Sequence, residues 1–185
     1  MKSTIRGAVV GLAVILSAQA AHAQAMSFGV GGGVVVPTGT LADGNGTGWS
    51  GTALLRVQPP VSPLGFQVDA FYTRFGLEGG IDGHSRLLGG TANAVFAFPG
   101  ASLARPYLIG GVGLYNGKTT ITGFGSSDAT TKFGVNAGAG FDFGLGKAKL
   151  FAEGRFHAMF KSVTDVATGD EKTGYMIPLT VGLRF

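Results

Sequence analysis

From residue 26 onward, apolar side chains recur at every second position in one segment after another. This period is that of a β-strand with one apolar and one polar face, whereas an amphipathic helix repeats its apolar positions every three or four residues. The segment 131–143 is the clearest case, with Phe133 and Val135 on one face and Asn136 and Asp142 on the other. The alternation therefore predicts a chain built from strands.

Eight segments can be delimited in this way, and they cover residues 26–36, 49–58, 64–74, 86–98, 105–115, 131–143, 148–160 and 175–185. Their connections alternate between short turns and longer segments rich in Gly, Thr and Asp. The short turns are 59–63, 99–102 and 144–147, and the long segments are 37–48, 76–85, 116–130 and 161–174. Alternating connection lengths are typical of bacterial outer-membrane barrels, with both chain ends on the short-turn side. The sequence predicts an all-β, eight-stranded, antiparallel up-and-down transmembrane β-barrel.

Alternation does not by itself say which face contacts lipid, because a soluble barrel or sandwich shows the same period with its apolar face inward. The positions of the aromatic residues favour lipid. Phe133 and the pair Phe141 and Phe143 bracket small and aliphatic residues, and Tyr107 and Tyr115 are expected to bracket the fifth segment in the same way. Aromatic residues at both ends of an apolar face are typical of the two interfacial girdles around a hydrocarbon band.

The opposite faces carry few charges, and these lie among glycines. Three arginines, three carboxylates and two asparagines are found there: Arg56, Asp69, Asn93, Asn136, Asp142, Glu153, Arg155 and Arg184. A soluble exterior would carry many more Lys and Glu residues. An unpaired buried charge is strongly unfavourable, so charges inside a narrow barrel must pair. We expect these eight residues to form an interior polar network.

The first residues have the layout of a secretory signal. Lys2 and Arg6 provide a basic start, and an apolar stretch of about ten residues follows before small residues near position 23. A membrane-spanning helix needs about 20 apolar residues, so this stretch is too short to be an anchor. We expect a signal peptide at 1–23, cleaved between Ala23 and Gln24, followed by a barrel domain at 24–185. A cut after Ala25 fits almost as well.

Composition excludes several classes of protein. The sequence contains no cysteine, which excludes a disulfide scaffold, a thiolate metal site and a lipidated-cysteine anchor. Subtracting Lys2 and Arg6 from the formal charge of +4 leaves +2, without a basic cluster that would follow nucleic-acid phosphates. His84 and His157 have no neighbouring residues at ligand spacing. We therefore expect no nucleic-acid partner, no metal and no other cofactor.

Three stretches resemble a known family: 105–115 (RPYLIGGVGLY), 153–156 (EGRF) and 177–185 (IPLTVGLRF). They are similar to the outer membrane protein beta-barrel domain family, which includes small OmpA- and OmpX-type barrels, and the resemblance extends over essentially the whole chain after residue 23. It implies an outer-membrane location and recognition of the last strand, with Tyr175 and Phe185, by the barrel-assembly machinery. It implies no particular activity, because the members of such a family differ in function.

The sequence also bears on activity. Side chains just fill an eight-stranded barrel, which argues against a diffusion porin. Glu153 and His157 share a face and could form a catalytic base. Small lipid A deacylase barrels, however, carry a Ser two residues after their His, where this chain has Met159.

We expect a monomeric, non-enzymatic protein with a structural, adhesive or surface-recognition role through its external loops. The alternatives are a narrow small-solute channel and, less favoured, a lipid-modifying enzyme.

Basic residues lie at or near the external ends of the predicted strands, and they are Arg74, Arg86, Lys118, Lys132 and Lys161. The outer leaflet of such a membrane contains lipopolysaccharide, whose phosphates accept charge-assisted hydrogen bonds from Arg and Lys. We expect these residues to contact lipopolysaccharide. The alternative is an ordinary solvated rim.

Overall fold

The computed structural model describes residues 26–59, 62–77, 82–99, 104–123, 125–164 and 171–185. The expected signal peptide, with its cleavage site between Ala23 and Gln24, lies outside these ranges and stays a prediction. Among the described residues, no helix has the length and apolar character needed to cross a bilayer.

Eight long strands form the wall of the molecule, and a two-residue strand lies in one of the loops. The strands are β1 (Met26–Thr38), β2 (Asn45–Val57), β3 (Leu64–Leu77), β4 (Gly83–Ala97), β5 (Ala104–Ile121), β6 (Gly125–Ser126), β7 (Thr130–Leu145), β8 (Ala148–Thr164) and β9 (Glu171–Arg184). Each long strand pairs antiparallel with the next long strand, and β9 pairs with β1. This closure confirms the predicted eight-stranded, antiparallel up-and-down barrel.

The strands extend further towards the long loops than the alternation predicts. β2 begins at Asn45, β5 runs to Ile121 and β9 begins at Glu171, in place of the predicted 49, 115 and 175. These extensions remain paired, for example through Thr119 and Ser85. Backbone pairing needs no apolar face, so it continues where the alternating pattern has ended.

Phe185 completes the junction between the last strand and the first. Its N–H donates to the carbonyl of Phe28 over 2.7 Å, and the N–H of Phe28 donates to the carbonyl of Phe185 over 3.0 Å. The two bonds continue the β9–β1 pairing to the final residue, so this junction is closed up to the chain end.

The two faces of the wall are inverted relative to those of a water-soluble barrel. On β3 the outward Phe66 is 70% exposed, whereas the inward Asp69 is 3% exposed. Outward aromatic residues lie near the long loops (Trp49, Tyr72, Phe133 and Phe160) and near the short turns (Phe28, Phe66, Phe96, Phe98, Phe141 and Phe143). An exposed apolar band between two aromatic girdles is the surface of a transmembrane barrel.

The expected girdle positions of Tyr107 and Tyr115 are wrong. Each is 1% exposed and points into the barrel, while Leu114 of the same strand faces outward. The reason lies on the neighbouring β7, whose inward glycines leave room for large rings. A Cβ added at Gly140 would collide with the ring of Tyr107, and one added at Gly134 would press on Tyr115.

Candidate functional site

The interior of the barrel consists of three layers along its axis. A cavity of about 700 Å³, which we call the cup, lies at the end with the long loops. An apolar layer lies beneath the cup. Between that layer and the short-turn end lie a network of charged and polar side chains and a second apolar cluster of Val95, Ala97, Tyr107 and Ile109.

Arg155 on β8 is the centre of one half of the polar network. Its Nη1 and Nη2 donate to the two carboxylate oxygens of Asp69 at 2.9 and 3.1 Å. Its Nε donates to Oε1 of Glu153 at 2.5 Å. The planar guanidinium thus engages Asp69 in a bidentate, charge-assisted pair and holds a second carboxylate at the same time.

Asp142 on β7 is the centre of the other half of the network. Nη1 of Arg56 donates to its Oδ2 at 3.3 Å, and Nη2 of Arg184 donates to the same oxygen. The group around Asp142 thus has one carboxylate and two guanidiniums, whereas the group around Arg155 has one guanidinium and two carboxylates. The formal charges of these six buried residues cancel.

Two side chains connect the halves. Gln67 accepts a hydrogen bond from Nε of Arg56 at 2.6 Å and donates one to Asp69 at 2.7 Å. The hydroxyl of Tyr107 donates to Oε2 of Glu153 at 2.9 Å, and the guanidinium of Arg56 lies 4.3 Å from the centre of the Tyr107 ring. The network therefore closes on itself across the barrel.

Asn93 and Asn136 extend the network around Asp69. Nδ2 of Asn93 donates to Oδ2 of Asp69 at 2.7 Å, and Nδ2 of Asn136 donates to Oδ1 of Asn93 at 2.9 Å. The structure thus brings together all eight residues that the sequence places in the interior. It adds Gln67 and Tyr107, and for Gln67 a signal was available, because it lies on the same face of β3 as Asp69.

His157 lies outside the ion pairs and does not form the pair with Glu153 that a catalytic base would need. Its Nδ1 shares a 2.9 Å hydrogen bond with the hydroxyl of Tyr115, and its ring meets Phe71 edge-on. Glu153 instead bonds Arg155 and Tyr107. Within the described ranges, no group of three or more potential ligands is arranged to hold a metal ion.

The apolar layer closes the interior between the network and the cup. Its buried members are Val35, Phe71, Phe75, Leu87, Tyr115, Met159 and Met176. Phe75, Leu87, Tyr115 and Met159 also form the floor of the cup. The layer is tightly packed on β4, where a Cβ added at Gly89 would collide with the ring of Phe71.

Charged residues of both signs surround the cup above this floor, and they are Asp43, Arg86, Lys118, Asp128, Lys132 and Lys172. Hydrogen bonds fix parts of the wall. Oγ1 of Thr40 donates to the carbonyl of Thr173 at 2.9 Å, and the hydroxyls of Ser85 and Thr119 lie 3.1 Å apart. The cup is thus a preformed concave site with an apolar base and a charged rim.

Three of the five basic residues that the sequence places near the rim stand side by side. Arg74 on β3 pairs in register with Arg86 on β4, which in turn pairs with Lys118 on β5. Lys132, which also lines the cup, is outside this row and pairs in register with the inward Tyr115. Lys161 lies on β8, outside this row, and its φ of 51° is unusual for a residue with a side chain.

The two residues of the expected C-terminal signal lie on the outward face. The ring of Tyr175 stacks on Phe156 with 5.4 Å between centroids. Phe185 is 62% exposed. Both side chains are therefore on the surface that a partner in the membrane could contact.

A family model described as "Outer membrane protein beta-barrel domain" matches residues 8–185. The chain belongs to this family. The barrel is accordingly an outer-membrane protein, in which short turns and chain ends face the periplasm and long loops face the outside. The cup is therefore the external end of the interior.

Several solved structures of outer-membrane proteins are similar in fold to this chain. For Neisserial surface protein A the TM-score is 0.65 at 20% identity, with 86% of this chain and 95% of that chain covered. For a major outer membrane protein from Thermus thermophilus the TM-score is 0.58 at 12% identity, with 88% of this chain and 99% of that chain covered. For the N-terminal barrel domain of Pseudomonas aeruginosa OprF the TM-score is 0.50 at 17% identity, with 86% of this chain and 97% of that chain covered. At these identities the similarity concerns the fold alone. No curated protein matches the chain.

Proposed function

We propose that this barrel is a monomeric, non-enzymatic surface-recognition protein whose external cup binds a small amphiphilic molecule. The observation that carries the proposal is the position of the cup, which opens towards the outside and ends on a packed apolar floor. A molecule can therefore enter from the cell surface, and the layers below block its passage through the barrel.

The lining of the cup indicates the class of ligand. Its volume of about 700 Å³ falls within the range of small-molecule sites, which are mostly apolar with a few polar groups that fix orientation. Phe75 and Leu87 on the floor suit an apolar body, whereas Lys132 and Asp128 at the rim suit a charged group. An amphiphile with its apolar part inward satisfies both.

The alternative of a solute channel is disfavoured by the energetics of the interior. A solute would have to displace the apolar layer and then separate Arg155 from Asp69, which leaves buried charges unpaired. Breaking a buried pair costs about 3–5 kcal/mol. A non-enzymatic role is supported by His157, which is buried against Tyr115 and is not among the residues that line the cup.

The cup can be tested with 1-anilinonaphthalene-8-sulfonate, an aromatic sulfonate that fluoresces in apolar sites. The barrel is placed in nanodiscs of zwitterionic lipid, and the signal of empty nanodiscs is subtracted. We expect saturable binding by the wild type. Ser85→Phe should weaken it by filling the cup, and Lys132→Gln should weaken it by removing a cation near the sulfonate.

Lys147→Phe is the matched control, because Lys147 is exposed in the periplasmic turn between β7 and β8. It adds the same ring at the opposite end and should leave binding unchanged. No saturable signal for the wild type, or equal binding by wild type and Ser85→Phe, would contradict the proposal.

A further inference from the structure

We propose that Arg74, Arg86 and Lys118 form one binding site, on the membrane-facing side of the external rim, for the phosphate groups of an outer-leaflet glycolipid. We call these three residues the cation row. The sequence places each of them near the rim, and the fold places them directly next to one another.

The register of three strands creates the cation row. Arg74 lies opposite Arg86, and Arg86 lies opposite Lys118. Neighbouring strands are about 4.8 Å apart, so the three Cα atoms fall within about 10 Å of one another. Like charges directly opposite each other in a sheet are destabilising. An anion bound across the row would remove that repulsion.

The protein itself does not neutralise the row within the part of the chain that is described. The ion pairs there join Arg56, Arg155 and Arg184 to interior carboxylates, and none involves the cation row. Arg74 and Arg86 are exposed, and Lys118 is half-buried. Among the described residues, therefore, no carboxylate competes with an external anion for the row.

The height of the row is that of lipid headgroups. Trp49 is the register partner of Arg74, and its ring lies 5.6 Å from that of Tyr72. Tryptophan and tyrosine of this kind mark the boundary between hydrocarbon and headgroups. Leu88 and Leu114, both more than half exposed, continue the outward faces of β4 and β5 below the row.

A phosphorylated lipid fits this arrangement better than free phosphate. The two arginines can each form paired hydrogen bonds with phosphate oxygens, and Leu88 and Leu114 provide a surface for acyl chains. Arg86 and Lys118 also border the cup, so the row lies where the rim meets the lipid-facing wall. The proposal does not depend on a ligand in the cup.

The test compares lipid retention by three forms of the protein refolded in vesicles of phosphatidylcholine and doubly phosphorylated lipid A. The first form is the wild type, and the second is the row variant Arg74→Gln/Arg86→Gln. The third is the control Lys147→Gln/Lys149→Gln, in which two exposed cations near the periplasmic end are removed. After extraction and washing in mild detergent, mass spectrometry measures the lipid A that stays bound. We expect retention to fall about tenfold in the row variant, as for a loss of about 1.4 kcal/mol, and to be unchanged in the control.

Two further arms identify the source of the phosphate. Dephosphorylated lipid A should be retained equally by the wild type and the row variant, and millimolar inorganic phosphate should not displace the intact lipid. Equal retention of intact lipid A by wild type and row variant overturns the proposal, as does displacement by inorganic phosphate. Heat-dependent gel mobility verifies that each variant is folded, and Arg74→Gln alone should show part of the loss.

Discussion

The hydroxyl of Tyr107 on β5 donates a 2.9 Å hydrogen bond to Oε2 of Glu153 on β8, across the intervening strand β7. The same ring supports the guanidinium of Arg56 at 4.3 Å. Tyr107 thus links the two ion-pair groups of the interior, which places an aromatic residue at the centre of a polar network.

Tyr107→Phe should lower the free energy of unfolding by about 2 kcal/mol, because it removes a hydrogen bond to a buried carboxylate and keeps the ring. Urea unfolding of the barrel in lipid vesicles measures the change. Tyr72→Phe is the control, since Tyr72 lies on the outward face beside Trp49 and should change little. Equal stabilities of the two variants would show that the Tyr107 hydroxyl contributes nothing to the network.

Gly140→Ala should destabilise the barrel by about 1–3 kcal/mol, the usual range for overpacking, because the new methyl group would collide with the ring of Tyr107. Gly144→Ala in the same strand is the control, as no atom lies within 4 Å of its added Cβ. If the two alanine variants unfold at the same urea concentration, the ring does not occupy this position.

Arg155→Gln should cost about 3–5 kcal/mol, because Asp69 and Glu153 would lose their shared cation while still buried. Combining it with Glu153→Gln should recover part of that stability by removing one of the two carboxylates. Lys147→Gln removes an exposed cation and should be neutral. An Arg155→Gln barrel as stable as the wild type would be inconsistent with the paired network.

Phe185→Ala should reduce insertion of the barrel in cells more than it reduces refolding in vesicles. The ring is 62% exposed on the outward face, while the backbone of the residue holds the junction with Phe28. The substitution therefore removes a surface that the assembly machinery can recognise and leaves the hydrogen bonds intact. Membrane fractionation and refolding yields are compared with those of Phe143→Ala, an outward residue near the same end. Equal losses for both variants would remove any special role of Phe185 in recognition.

The strands and their outward faces could be predicted from the sequence because alternation is a local property. On β7, Phe133 and Phe141 are outward and Asn136 and Asp142 are inward, as the pattern indicates. The facing of β5 could not be predicted in this way, because both of its faces are apolar. Its orientation depends on Gly140 of β7, which lies opposite Tyr107 only once the register is known.

The same limit applies to the candidate sites. The sequence was sufficient to assign Arg56, Asp69 and Arg155 to the polar face of their strands. It was not sufficient to predict which of these charges pair, because Arg155 and Asp69 are 86 positions apart in the chain. Arg74 and Arg86 were recognisable as rim residues, whereas their adjacency is a consequence of the β3–β4 register. The cup depends on strand extensions beyond the alternating segments, where no apolar face marks the strand.

We propose that the interior is closed to solutes and that recognition takes place at its external end. The most direct test is the conductance of the purified wild-type barrel in a planar bilayer. With the apolar layer above the Arg155–Asp69 pair, we expect no current above that of the lipid alone. Sustained channel openings by the wild-type protein would show that the interior is open to solutes.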